Sequence, residues 1–252
     1  MIKSIFKGLS AYRDSFSLIS ELRLWNYFAI PMLISFFSAV LIILIAWGLS
    51  DTIGRLISNL WVWEWGAQTV ETISIVIGAL LIVAIGLVLY KHIIMAFSAP
   101  FMSPVSEKIE SHLYADVHNH RETTNATQLI RGIRINLRNL SWELLITIPL
   151  LLLSLIPVLG IITTVMLFII QAYYAGFGNM DYTLERHMSY RESINFVKRN
   201  RGYAIGNGIV FMLFLLIPVV GILIVLPVSV TAASVITLKI LKQEKEAKVK
   251  ID

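Results

Sequence analysis

The chain has 252 residues, 57% hydrophobic and only 15% charged, with a mean hydropathy of +0.76. Soluble domains carry roughly 45–50% apolar and 25% charged residues, so this balance excludes an ordinary soluble domain and indicates an integral membrane protein. Zero cysteines exclude disulfides, iron–sulfur clusters and cysteine nucleophiles, and the formal charge of +5 sits beside apolar runs, where it speaks for topology and lipid headgroups rather than nucleic acid.

No Pro/Ser/Gly-rich linker divides the chain, which reads as a single domain over residues 1–252. Residues 1–24 place Ile2, Ile5, Phe6, Leu9, Tyr12, Phe16 and Ile19 at helical spacing, which predicts one amphipathic helix lying in the membrane interface. The first apolar run starts near Tyr27, too long for the core of a cleavable signal peptide. From Tyr27 to Leu49 nothing is charged, and those residues reach about 34 Å as a helix, enough to cross a core of roughly 30 Å. The aromatic stretch Trp61–Trp65 then suits the far interface. A second uncharged run, Thr72 to Tyr90, is expected to continue past Lys91 and His92 to Pro100, so that residues 25–100 form two long transmembrane helices. Ser103 and Pro104 read as the cap and first residue of a short amphipathic helix, followed by a polar loop over 114–127.

The stretch LIPVLG (Leu155–Gly160) returns 61 positions later as LIPVVG (Leu216–Gly221), and Arg138, Asn139, Trp142 and Pro157 fall opposite Arg199, Asn200, Tyr203 and Pro218 at the same offset. Each copy has a first apolar arm of about 15 residues, roughly 22 Å of helix, and a turn with no polar side chain to place in water. Both features predict helical hairpins, over 128–180 and 190–240, that enter from one face and turn inside the membrane; four ordinary spans with tight apolar loops are the alternative. Residues 241–252 form a charged tail. All Lys and Arg except Arg55 fall on one side, which places both termini in the cytoplasm.

Catalytic chemistry finds no candidate residues. The centres of the long spans are uncharged, and the hairpins offer only Glu143 near one entrance and Lys239 near one exit. His112, Asp116, His118 and His120 lie in HLYADVHNH, a pattern that reads as solvated surface rather than a metal site, and no cofactor is implied. Hairpin tips inside the bilayer would present helix N-termini able to bind anions, unless the neighbouring C-termini cancel their field. Arg23, Trp25 and Asn26, before the first span, could receive an anion or simply anchor the helix among lipid phosphates. Asp181 is a helix cap or the ion-pair partner of Arg186, or with its neighbours faces a cavity. A transporter would line a wet path near the hairpins with Asn207, Thr231 and Ser234, whereas a scaffold would bury them in helix contacts.

Over nearly its whole length the chain resembles the CysZ-like sulfate transporters, which share a domain with the etoposide-induced membrane proteins. The matching segments are SAPFMSPVSEKIE (Ser98 to Glu110), Asp181-Tyr182, and the two hairpins at Ile156-Pro157 and Ile217-Pro218. The resemblance implies an all-α integral membrane protein with two full transmembrane helices, two membrane-inserted helical hairpins and interfacial amphipathic helices, assembled as a homo-oligomer. It also implies sulfate entering the cytoplasm across the inner membrane, with no ATPase and no enzyme activity. The family's sulfate-associated motif runs Gly, Ile or Leu, Arg, often a second Arg, then an aromatic residue. Here Arg23 stands at the Gly, Leu24 follows, and Trp25 and Asn26 replace the arginine pair before Tyr27, which weakens oxyanion recognition at this point. The expected function is therefore transport of sulfate or a related small oxyanion, the alternatives being a scaffold that binds lipid or partner proteins and a transporter of another solute.

Overall fold

A computed structural model describes residues 1–58, 82, 85–114, 123–154, 156–217 and 220–249. They form ten helices: α1 (Ile2–Ser10), α2 (Ser15–Glu21), α3 (Trp25–Ser58), α4 (Ile85–Phe97), α5 (Ala99–Leu113), α6 (Asn125–Ser154), α7 (Pro157–His187), α8 (Tyr190–Arg199), α9 (Arg201–Leu215) and α10 (Val220–Val249). The described residues contain no strand, so the protein is an all-α membrane protein. Trp61–Trp65, most of the run expected to open the second span, Asp116, His118 and His120 lie outside the described residues.

The single N-terminal helix expected over residues 2–19 is two helices. Tyr12 and Arg13 bond back three residues, to the carbonyls of Leu9 and Ser10, which tightens and ends α1. The break lets α1 dock rather than lie free: the Gly8 backbone meets the Tyr203 carbonyl and the Gly206 Cα of α9, while Ile2, Phe6 and Phe16 stay exposed for lipid. α3 contains the first long apolar run, Trp25–Leu49, and most of it is exposed. Exposure of Leu33, Phe37, Leu44 and Trp47 is tolerable because the surrounding solvent is hydrocarbon.

α4 ends at Phe97 and α5 leaves it at 66°. Pro100 causes the bend: it has no N–H to donate to Ala96, and its ring would clash with that carbonyl in a straight helix. α5 therefore begins at Ala99, and Ser98, not Ser103, stands at its cap position; Pro104 lies inside the helix. The proline that starts the helix is the one a turn earlier than the sequence suggested.

The two copies of the repeat are built differently. In the first, the charged lead-in and the apolar arm fuse into one 30-residue helix, α6, about 45 Å long rather than the 22 Å expected. In the second, the chain breaks at Asn200, leaving the amphipathic α8 and the 15-residue α9. α8 is fixed at its start by a capping box of Ser189 and Glu192. In the LIPVLG turn, Ile156 is extended (φ −84°, ψ 117°), the conformation a following proline imposes, and Pro157 opens α7. Ile156, Ile161, Leu216 and Ile217 are exposed around the two turns, so both tips are apolar surfaces. Trp25–Leu49, Asn125–Ser154, Leu159–His187 and Leu223–Ala247 are each long and apolar enough to cross a membrane. The protein is thus multi-pass.

α10 is the central helix, mostly buried against α7, α9, α3 and α5. α7 and α9 approach through small residues at four-residue spacing. The Gly176 backbone lies against the Ala204 carbonyl, and the Gly208 backbone against the Ala172 carbonyl. Small residues let helix backbones meet in lipid, where van der Waals packing replaces the hydrophobic drive. α9 carries a second small stripe, Gly202 and Gly206, toward α1, and so ties three helices together.

Candidate functional site

The face of α6 carrying Gln128, Gly132, Asn136, Asn139, Glu143 and Thr147 is buried, with steps of four, four, three, four and four residues. The opposite face exposes Ile130, Leu137, Leu145, Ile148 and Leu152. A helix with apolar residues outside and polar residues inside is stable only with lipid around it and polar partners within. From Gln128 to Thr147 the stripe runs about 28 Å, close to the roughly 30 Å hydrocarbon thickness.

One turn from the Thr147 end of this seam sit two fully buried ionisable residues, Lys91 and Glu143. Lys91 Nζ of α4 donates to Glu143 Oε1 at 2.6 Å and to the Gln171 carbonyl of α7 at 3.2 Å. Glu143 Oε2 is 3.0 Å from His92 Nε2, and His92 Nδ1 is 3.2 Å from Asn136 Oδ1. The Asn136 amide is oriented by its own donation to the Gly132 carbonyl at 2.9 Å. Both imidazole nitrogens are thus held by oxygen atoms, and Lys91, His92, Glu143 and Asn136 form one continuous buried polar chain.

The end of the seam near Gln128 runs into a second network. Gln128 Nε2 donates to Thr123 Oγ1 at 3.1 Å, which in turn donates to Glu185 Oε1 at 3.1 Å. Arg131 grips Asp181 with Nε and Nη2, at 3.1 and 2.9 Å, and also donates to the Met188 carbonyl and Ser193 Oγ. Arg186 donates to Glu110 at 3.1 Å, to Ser106 Oγ, and to the carbonyls of Ser103 and Tyr182. The partner of Asp181 is thus Arg131 rather than Arg186, because five residues along α7 turn Arg186 to a different face, toward α5. Ser103, Ser106 and Glu110 meet Tyr182 and Arg186 here, so the two segments with the strongest local resemblance, far apart in sequence, form one polar joint.

Arg23, Trp25 and Asn26 are exposed at the junction of α2 and α3. Arg23 is the one non-glycine with positive φ among the described residues, at 51°. That is the position where the family motif has glycine, and left-handed backbone is what glycine adopts without cost. Arg23→Gly is expected to raise stability by about 1 kcal/mol, read as a higher unfolding temperature in detergent. No rise would mean that the arginine makes contacts offsetting its strain.

Asn207 is buried between α7 and α10, accepting from Asn179 Nδ2 at 2.8 Å and donating to the Ser229 carbonyl at 3.0 Å. The Tyr12 hydroxyl joins this cluster at the Asn207 carbonyl and Ser229 Oγ, and burial pushes its pKa well up, so it stays a donor. Ser234 meets Thr183 at 3.1 Å, and Thr231 bonds the Pro227 carbonyl in its own helix. All three residues are fully buried in helix contacts, and none lines a described cavity. No hydrogen bond or ion pair among the described residues links them to Arg23, Trp25 or Asn26. A cavity of about 780 Å³ lies between α3, the α4–α5 bend and the start of α6, lined by Leu33, Phe37, Phe97, Phe101 and Leu129. It offers an oxyanion no charge and suits hydrocarbon.

The Lys91–His92–Glu143 centre was missed in the sequence, where Lys91 and His92 looked like the end of a span and Glu143 like an entrance residue. The signal was present: Gln128, Asn136, Asn139, Glu143 and Thr147 recur at helical spacing across a stretch otherwise divided at Arg138 into charged and apolar halves. What concealed it was the three arginines, which read as a boundary. No group of His, Cys, Asp and Glu able to hold a metal occurs among the described residues.

The protein is a multi-pass helical bundle, with an apolar exterior suited to lipid and a polar seam buried within. The sequence matches the family described as sulfate transporter CysZ/etoposide-induced protein 2.4 over residues 11–225, and the chain belongs to that family. No curated protein matches the chain.

Proposed function

We propose that the protein passes sulfate or a related small oxyanion across the inner membrane into the cytoplasm, as a homo-oligomer with both termini cytoplasmic and no ATPase of its own. The observation that carries this reading is the α6 seam: a polar stripe of nearly the bilayer's thickness, with the buried Lys91–Glu143 pair one turn from its Thr147 end, in a chain of the sulfate transporter family. Buried ionisable groups in membranes are costly and are kept where they act on a solute. The substituted residues Trp25 and Asn26 leave Arg23 as the cation at the approach to the first span, so recognition at that point is weak and falls to the interior.

One observation favours a second reading. The close packing of Asn207, Thr231 and Ser234 is what a membrane scaffold would show. Binding of radiolabelled sulfate to the purified protein, with unlabelled phosphate, chloride and thiosulfate as competitors, separates the two. Saturable binding displaced selectively by sulfate is the expected result. Folded protein that binds none of these anions would favour the scaffold.

A further inference from the structure

Lys91 and Glu143 neutralise each other, yet three donors around them are unused. Lys91 spends two of its three N–H bonds, on Glu143 and the Gln171 carbonyl. Asn139, one turn before Glu143 on the same face of α6, is fully buried; its Oδ1 accepts from Arg138 at 2.8 Å, and its Nδ2 has no partner among the described residues. Thr147, one turn after Glu143, is buried with its hydroxyl unpartnered, although a helical threonine ordinarily bonds the carbonyl four residues back. Buried donors without acceptors are expensive, about 1–3 kcal/mol each, and a native structure that keeps two beside a buried lysine has a use for them.

We infer that Lys91, Asn139 and Thr147 form an oxyanion-binding site inside the membrane, with Glu143 as the resident counter-ion that the transported anion displaces from Lys91. The inference rests on the transport reading and gives it a site in this chain. Asn139 and Thr147 stand about 12 Å apart along α6, one turn to either side of Glu143, so a small oxyanion takes the Lys91 ammonium from Glu143 and accepts from one of these donors as it arrives and from the other as it leaves. Glu143 keeps its 3.0 Å hydrogen bond with His92 on its other oxygen, so the displaced carboxyl group stays hydrogen-bonded in the low-dielectric interior. When the anion leaves, Glu143 recaptures Lys91 and closes the seam. An ion pair of this kind contributes little net stability against apolar residues of the same size, which fits a switch better than a structural strut.

The test is radiolabelled sulfate binding to the full chain in detergent micelles for four proteins. Glu143→Gln removes the competitor while keeping the shape, and should tighten binding about tenfold. Thr147→Val removes one donor without touching a charge and should weaken binding about tenfold. The double variant Lys91→Met, Glu143→Met removes the pair together and should weaken binding at least about thirtyfold. Affinities equal to wild type in all three variants would overturn the inference and leave the transport reading intact. No sulfate binding by the wild type would overturn both.

Discussion

Lys91→Met is expected to destabilise the protein by about 3–5 kcal/mol, a large share of a typical total of roughly 5–15 kcal/mol. The substitution itself is mild, since methionine nearly matches the lysine stem. The loss comes from Glu143, a fully buried carboxyl group left with only its hydrogen bond to His92. Adding Glu143→Met should return most of the stability, because the second change removes the stranded carboxylate instead of pairing it. The measurement is the unfolding temperature of the wild type, the single variant and the double variant in one detergent. A single variant as stable as the wild type would show that Glu143 is reached by water. A double variant no better than the single would show that Lys91 acts through packing and not through charge.

Gly208→Ala is the second large effect. A Cβ there would run into the Ala172 carbonyl of α7, which is helix backbone and cannot rotate away. α7 and α9 must separate, and overpacking of this kind costs about 1–3 kcal/mol. Because α9 also holds α1 through Gly202 and Gly206, the separation spreads to the N-terminal helix. Gly48→Ala is the control: nothing lies within 4 Å of its Cβ position, so the same substitution should be neutral or stabilise α3 by up to about 1 kcal/mol. Opposite signs for the two glycines in one unfolding assay would support the contact. Equal effects would mean that helix propensity alone governs both.

Much of the architecture could be read from the chain because membrane solvent imposes few solutions. An uncharged run from Tyr27 to Leu49 has to span, and the repeated Ile-Pro turns have to end helices. Local chemistry settled these. It failed where two helix rules competed: Pro100 and Pro104 both resemble helix starts, and only the 66° bend shows which one is used. It failed again in the first hairpin, where Glu143 read as an entrance residue although it lies buried well inside one continuous helix.

The membrane class, the repeat of LIPVLG as LIPVVG and the family resemblance were determined by the sequence itself, since each depends on the order of residues along the chain. The partners were decided by tertiary structure alone. Lys91 meets Glu143 across 52 positions, and Arg186 meets Glu110 across 76. Neither pairing follows from spacing, because a buried charge takes whichever opposite charge the packed helices bring within reach, and here close packing of Gly132 against Ala96 and Ala99 and of Gly178 against Met95 holds α6 and α7 to the α4–α5 bend.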